Sequence, residues 1–594
     1  MPTELVLGPM VRHVSATSAA VWVQTAESAT VTVRLLDAQG GTRESSSART
    51  FAVHGHHYGL VELTGLHEAT RYRYEVLVDD AVRWPETGSD LPASSLTTRS
   101  TNAPVRLAFG SCRTSVPHDA AGHLSHGVDA LRTFALALAD GDHGPLSAPP
   151  DLLLLLGDQV YADATSAAMQ EFIAARRDIT EEPGEELADY DEYAQLYRLA
   201  WSEPALRRLF SWLPTLMIFD DHDIRDDWNT SATWRRQMEA TSWWHDRIVA
   251  GLGSYWVYQH LGNLSVQERA EDPLWTELQR RQRAAPDAEV DLTDAVDAFA
   301  ERADEDPRSY RWSYTHPLGR SRLVVVDSRA ARQLDPDDRS MLDDAELAWL
   351  DDQLTGDVEH LLVATSLPFL LPMGLHHIEA LDEAMAEGRL GRRLTRVGEW
   401  LRQEMDLEHW AAFTDAFDAV ARMVTEVADG RRGAPPASVL FLSGDVHFSY
   451  ITEVDRRSGS RMLQLVCSPI RNPLPRALRA FAALGSHAAR PAGALLSRWA
   501  RIPETPWRWH GIAGPWFDNN VAVLEVRDER LRTVWLGGRV LGASHDRPEL
   551  DVVADLVLDV PPAGTAHRRP LARMHPDRQR GLLARLRRRT TDRR

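Results

Sequence analysis

The stretch Leu152-Leu153-Leu154-Leu155-Leu156-Gly157-Asp158-Gln159-Val160-Tyr161 decides how this chain is read. Five consecutive leucines make an apolar run of strand length, far short of the roughly 18 residues that a membrane span requires. Uninterrupted apolar character belongs to a strand covered on both faces, the environment of a parallel sheet packed between layers. The run ends at a glycine, and acidic and phenolic side chains follow at once. Working outward, the same construction recurs. Residues 105–109 run into Gly110-Ser111-Cys112-Arg113, and residues 439–442 into Ser443-Gly444-Asp445-Val446-His447. Residues 216–219 run into Asp220-Asp221-His222-Asp223 and then Asp226-Asp227-Trp228-Asn229. Further strands are expected at 323–326, 361–364, 462–466 and 521–526, with helices at 344–354 and 410–424.

In an open α/β sheet the carboxyl ends of the strands line the crevice that takes ligands. Four strand ends that deliver Asp, His, Cys and Tyr crowd several anionic groups together. Such carboxylates cannot all stay ionised in a crevice unless cations sit among them. A cluster of two or more metal ions resolves the repulsion and makes a catalytic centre. Each window alone admits an ordinary reading. Asp158 suits an N-cap of a following helix, Cys112 suits a small buried hydrophobe, and Cys467 is read as one. Their joint occurrence at four strand ends favours the metal site.

With 594 residues the chain exceeds the roughly 100–200 residues of one domain. Residues 1–100 read as all-β: the segments 20–24, 30–35 and 71–76 are β-rich, with turn residues such as Gly40-Gly41 between them. A polar linker, 99–104, leads into the α/β unit, expected over 105–560. Within it, residues 228–310 carry Trp234, Trp243, Trp244, Trp256 and Trp275 and form a helical insertion, read as an aromatic core in preference to a substrate platform. Residues 567–594 are arginine-dense and read as a disordered tail, with weak contact to an anionic surface as its one suggested role.

The formal charge is −20, from 66 basic and 86 acidic residues, which excludes a sequence-specific nucleic-acid groove binder. Every basic residue is arginine, a coding bias from which no mechanism follows. Two cysteines cannot build a disulfide framework. The opening Met1-Pro2-Thr3-Glu4-Leu5 lacks the basic stretch and apolar core of a secretory signal, and no transmembrane run is present, so the chain reads as cytoplasmic.

The ordered set of Phe109-Gly110-Ser111-Cys112, Gly157-Asp158-Gln159-Val160-Tyr161, Asp220-Asp221-His222-Asp223 and Gly444-Asp445-Val446-His447 resembles the PhoD-like alkaline phosphatases, within the calcineurin-like metallophosphoesterases. Residues 323–329, ending in Asp327-Ser328-Arg329, and the helix 341–350 resemble further segments of that family, and residues 1–100 resemble its fibronectin-like domain. The resemblance implies a four-layer α/β/β/α sandwich behind a small all-β sandwich, with a ferric ion and calcium as cofactors. Zinc, manganese or magnesium stay open as alternatives. Carried over by position, Cys112, Asp158, Tyr161, Asp445 and His447 hold iron, and Asp158 and Asp445 bridge to calcium. Asp221, His222, Asp226 and Asp227 fill the remaining metal or phosphate positions. His222 is a candidate proton donor, with a metal ligand or an orienting role as the alternative. Arg113 and Arg329 are candidate phosphate clamps, with structural salt bridges as the alternative. This chain has Asp226-Asp227-Trp228 where the family usually has Asn-Asn-Trp, and Asp223 where it commonly has Glu.

The expected activity is hydrolysis of a small phosphate monoester by metal-activated hydroxide. A phosphodiesterase of the phospholipase D type is the alternative on the same scaffold. A non-catalytic metal-binding interaction protein is the more distant one.

Overall fold

Every apolar run named above becomes a strand in the computed structural model of the chain, which describes residues 3–86, 94–336, 338–475, 479, 500, 502–527 and 530–560. The expected basic tail at 567–594 lies outside them. One sheet of six strands has the order Thr215–Ile218, Leu152–Leu156, Val105–Gly110, Val521–Arg527, Arg530–Arg539 and Glu549–Asp559. Its first three strands are parallel and the remaining pairings are antiparallel. The second sheet has seven strands, in the order Tyr314–Leu318, Ser321–Val326, His360–Thr365, Ser438–Ser443, Arg461–Val466, Ser449–Val454 and Trp509–Trp516. Ser321–Val326, His360–Thr365, Ser438–Ser443 and Arg461–Val466 run parallel.

The period-2 alternation of strand side chains explains how the layers assemble. Leu323 and Val325 share a core with the leucines of Leu152–Leu156 on the facing sheet. Their neighbours Val324 and Val326 point the other way, onto Leu350, Phe417, Val420 and Val424 of helices Asp344–Gln353 and Thr414–Ala428. On the far side of the six-stranded sheet, Leu131, Phe134 and Ala135 of helix Ala130–Ala139 join the core. The result is the α/β/β/α arrangement, with parallel strand ends from both sheets opening in one region.

The N-terminal residues form two further sheets. Leu5–Val14, Ser18–Thr25, His56–Thr64 and Phe51–Val53 make one, and Thr42–Arg49, Thr30–Leu36, Arg71–Val78, Ala81–Trp84 and Ser95–Thr97 the other. Val21, Val23, Val31, Val33, Tyr72 and Val76 fill the space between them. The reverse face of the first sheet is apolar too, and here the insertion docks. Val290–Asp291 adds a parallel strand beside Phe51–Val53. Tyr258 of the insertion stacks on Tyr197 with centroids 4.1 Å apart, and Tyr58 donates a hydrogen bond to Tyr258 Oη at 3.0 Å. Trp234, Trp244, Trp256 and Trp275 are all buried, so the tryptophans of this insertion are core. Trp243 is half-buried, beneath the guanidinium groups of Arg225 and Arg247.

Trp22, 1% exposed, lies where sandwich, insertion and α/β unit meet, against Tyr58, Trp201 and Tyr258. Trp22→Ala is expected to destabilise the whole chain by about 3–5 kcal/mol, read as a lower denaturant midpoint in a single transition. A separate early transition for the β domain would show that the two units do not share this core.

Candidate metal centre

The strand ends are tied to one another before any ligand is considered. Asp223 Oδ2 accepts from the backbone N–H groups of Asp158 and Asp220, each at 2.9 Å. Cys112 N–H donates to Gly157 O at 3.3 Å, and Asp445 N–H donates to Ser111 Oγ at 3.0 Å, which joins the loops of the two sheets. Close approach is enforced by glycine. A Cβ on Gly157, whose φ is +94°, would stand 2.5 Å from Asp220 Cβ, and one on Gly444 would stand 2.0 Å from Ser111 Oγ. Cys112, Asp158, Asp445 and His447 themselves hold φ values of 58°, 51°, 62° and 55°. Left-handed backbone at four non-glycine residues of one site is strain that the surrounding bonds must sustain.

Four groups of side chains each bring one possible ligand atom apiece within 4.8 Å of one another: Cys112, Asp158 and His447; Asp158, Asp221 and His222; Asp220, Asp221 and Asp445; and Asp226, Asp227 and Asp406. Asp158 links the first two groups and Asp221 the second and third, so these three form one continuous cluster. Tyr161 belongs to it as well. Its hydroxyl donates to Asp158 Oδ2 at 3.3 Å, accepts from Asn472 Nδ2 at 3.0 Å, and its ring lies 4.6 Å from that of His222.

The residues fit bound cations. Asp158 Oδ1, Asp220 Oδ2 and Asp227 Oδ1 are buried without a hydrogen-bond partner among the described residues. A buried carboxylate oxygen left unpaired carries its full desolvation cost. Thiolate, phenolate and imidazole on one side suit a transition metal, and clustered carboxylates on the other suit a hard cation.

Burial sets the protonation pattern. It pushes the carboxyls of Asp158 and Asp220 well above the ordinary range, and neighbouring aspartates add to the effect. Asp227 is pushed up to about 10, by burial first and then by Glu408, Asp406, Asp226 and Asp221. Burial, Asp158 and Asp445 likewise raise the Cys112 thiol. Asp445 departs from this pattern. Burial opposes its charge, but the hydrogen bond and the charge of His409 hold it down at about 2. His409 Nε2 meets Asp445 Oδ2 at 2.9 Å and its Nδ1 meets Glu379 Oε1 at 2.8 Å. Burial opposes the charge of His222, but Asp163, against Nδ1 at 2.9 Å, together with Asp221 and Asp158 raises it well above the ordinary range.

Of the residues singled out in the sequence, Cys112, Asp158, Tyr161, Asp221, His222, Asp445 and His447 are brought together. Asp226 and Asp227 form a neighbouring group with Asp406. Arg329, fully buried, is also in the centre: it pairs with Asp220, with Asp221 at 3.2 Å and with Glu408 at 2.5 Å. Arg113 is not free to clamp a phosphate. It spends its guanidinium on Asp129 at 2.8 Å and on the Ala200 carbonyl at 2.9 Å, the structural salt bridge weighed against the clamp.

Asp220 was not singled out as a candidate ligand, although it stands in the quoted window and joins Asp221 and Asp445 in one group. Asn472 also escaped notice, yet it follows the strand Arg461–Val466 and the strand-end rule would have found it. Asp406, Glu408 and His409 follow a helix, Arg392–Glu404, and carry no strand-end signal.

The raised carboxyls have a consequence for stability. Asp227 is folded at about 10 against an unfolded value of about 3.9, so the folded chain without cations holds a proton that the unfolded chain releases. That contribution is complete below the unfolded value and is lost as pH climbs toward about 10. Chelator-stripped protein is therefore expected to melt at a lower temperature at about pH 9 than at about pH 5, and excess calcium is expected to flatten the slope. A melting temperature that rises with pH in the stripped protein would contradict this.

Residues 144–491, more than half of the chain, match the family described as PhoD-like phosphatase, and residues 2–96 match a domain described only as of unknown function. No curated protein sequence matches the chain. Among solved structures, PhoD is similar over 95% of this chain and 92% of its own, at 12% identity and a TM-score of 0.55. Purple acid phosphatase PPD1 from yellow lupin (Lupinus luteus) seeds covers 93% of this chain and 74% of its own, at 9% identity and a TM-score of 0.47. At such identity the likeness to PhoD speaks for the fold alone, and the family match carries the assignment. The matched segment contains most of the acidic groups that could hold metal ions, and the chain belongs to the PhoD-like phosphatase family, the metal-dependent phosphoric ester hydrolases.

Proposed function

We propose that the chain hydrolyses phosphate monoesters, with a ferric ion held by Cys112, Asp158, Tyr161 and His447 and calcium held by Asp220, Asp221 and Asp445. The continuous cluster of soft and hard donors carries this reading, since a structural calcium site has no use for thiol and phenol. Bound cations supply a water of lowered pKa and positive charge for a phosphoryl oxygen.

The chain's own residues do the rest. Asp163 fixes the His222 ring through Nδ1, so the second proton sits at Nε2, 3.7 Å from Asp226 Oδ1. A protonated imidazole at the edge of the centre serves to hand that proton to a departing alkoxide. Asn472 holds the Tyr161 hydroxyl, and His409 orients Asp445 between itself and the cluster. Arg329 balances Asp220 and Asp221 from beneath, and its engagement there argues for a charge-setting role in place of a direct phosphate clamp. Once ionised at alkaline pH, Asp226 and Asp227 make the neighbouring subsite acidic, which disfavours a second phosphate charge beyond the one held by the cations. A diester, with its single charge, is the alternative substrate on these grounds.

Asp158→Ala is expected to abolish hydrolysis while the chain stays folded; full turnover in that variant would overturn the assignment. His222→Asn is expected to lower kcat on alkyl phosphates by about 10²–10⁴-fold. Nitrophenyl phosphate, whose leaving group needs no proton, should be nearly spared, and equal losses on both would make His222 a ligand instead. Rates on nitrophenyl phosphate and bis-nitrophenyl phosphate separate the two ester classes. If Tyr161 binds ferric iron, a visible phenolate-to-metal absorption is present and disappears in Tyr161→Phe.

A further inference from the structure

The helix Arg392–Glu404 has one face that the fold uses and one that it leaves open. Its inner side rests on helix Met373–Ala386. A Cβ on Gly398 would stand 2.7 Å from Ala386 N and 2.9 Å from Met385 Cβ, so the two helices meet there at backbone distance. Arg402, one turn further along the same side, is 4% exposed and lies 3.7 Å from Asp382. The outer side follows the i, i+3, i+4, i+7 spacing through Arg393, Arg396, Val397 and Trp400. Val397 is 44% exposed and Trp400 60%, and Met405, just past the helix end, is 43% exposed. The other exposed large apolar side chains among the described residues, Val82, Leu124, Leu541 and Val557, are scattered. Three in nine residues make a patch, and a patch of this kind marks an interaction surface.

The patch borders the metal centre. Met405 precedes Asp406, whose carboxylate joins Asp226 and Asp227, and three residues on His409 reaches Asp445.

Its chemistry identifies the occupant. A tryptophan between an aliphatic side chain and a methionine, with two arginines one turn away, matches the lipid–water boundary. There the indole sits at headgroup level and arginine stems lie along apolar surface while their charges reach phosphate. No ion pair or hydrogen bond joins the Arg393 or Arg396 side chains to another described residue, so both charges face outward. On a chain of net charge −20 an anionic surface is repelled over long distances, and contact needs a local basic patch together with apolar insertion. Arg393 and Arg396 supply the positive charge at the start of the face and Val397, Trp400 and Met405 the apolar insertion, while the acids Glu404 and Asp406 lie at its far end. We infer that the outer face of Arg392–Glu404, with Met405, docks on an anionic lipid surface.

The test is flotation of the full chain with phosphatidylglycerol vesicles and with phosphatidylcholine vesicles. The intact chain should float preferentially with the anionic vesicles. The double variant V397S/W400S should bind them about tenfold more weakly or less. R393Q/R396Q should lose the preference for the anionic lipid. Hydrolysis of nitrophenyl phosphate should be unchanged in both variants, because none of the four side chains belongs to the centre, so vesicle binding is judged apart from catalysis. Three results would overturn the inference: no flotation with anionic vesicles, full binding by V397S/W400S, which would place the contact elsewhere on the chain, or a dimer in solution that V397S/W400S dissolves, which would assign the face to a second copy.

Discussion

Carboxylates gathered out of water around a single buried guanidinium are the constraint on which the rest of the structure depends. Asp220 and Asp221 leave one sheet, Arg329 leaves the other, and their pairing at zero exposure for Asp220 and Arg329 closes the gap between the two layers. One arginine cannot satisfy that many acids. It is shared with Glu408, while Asp158 Oδ1 and Asp220 Oδ2 stay without hydrogen-bond partners among the described residues. In a low-dielectric pocket the deficit is severe, because an unpaired buried charge costs several kcal/mol after relaxation. Without cations the raised carboxyls hold protons, and bound cations can take the place of those protons at several of these oxygens together. Fold and chemistry thus have a common origin: the sheets are held in the arrangement that leaves the centre short of positive charge.

The backbone at this centre carries strain of the same origin. Seven non-glycine residues of the region, Cys112, Asp158, Asp227, Asn229, Asp406, Asp445 and His447, have positive φ. Each costs of order 1–3 kcal/mol and persists only where neighbours over-determine it. Here the over-determination is visible as side-chain staples, with Asp223 holding two loops and Ser111 a third. The strain aims several ligand side chains from tight turns into one volume, which relaxed extended or helical backbone at those positions would not do.

Much of this was legible in the sequence because buried parallel strands advertise themselves as apolar runs. The eight strands expected at 105–109 through 521–526 are all present, with boundaries shifted by a residue or so. The candidate ligands that follow them were legible for the same reason: a polar cluster after a buried apolar run stands at the mouth of the crevice. Illegible were the residues whose role depends on packing between distant elements. His409 and Glu408 follow a helix, and nothing local distinguishes them from other surface acids and histidines until the chain folds back onto Asp445 and Arg329. Arg113 illustrates the opposite failure. Its place after a strand suggested the crevice, but Asp129, buried at the head of helix Ala130–Ala139, claims it first. The docking of 228–310 on the β-sandwich was equally hidden, since a two-residue strand has no period to read.

Asp226, Asp227 and Asp406 form a second acidic group beside the continuous cluster. The account therefore stands or falls on where cations bind. Anomalous scattering from crystals of the purified protein, recorded above and below the iron edge, locates them directly. The account predicts an iron peak among Cys112, Asp158, Tyr161 and His447 and a second, non-iron ion among Asp220, Asp221 and Asp445. Ordered side chains around a centre that holds no ion, or ions confined to Asp226, Asp227 and Asp406, would contradict it.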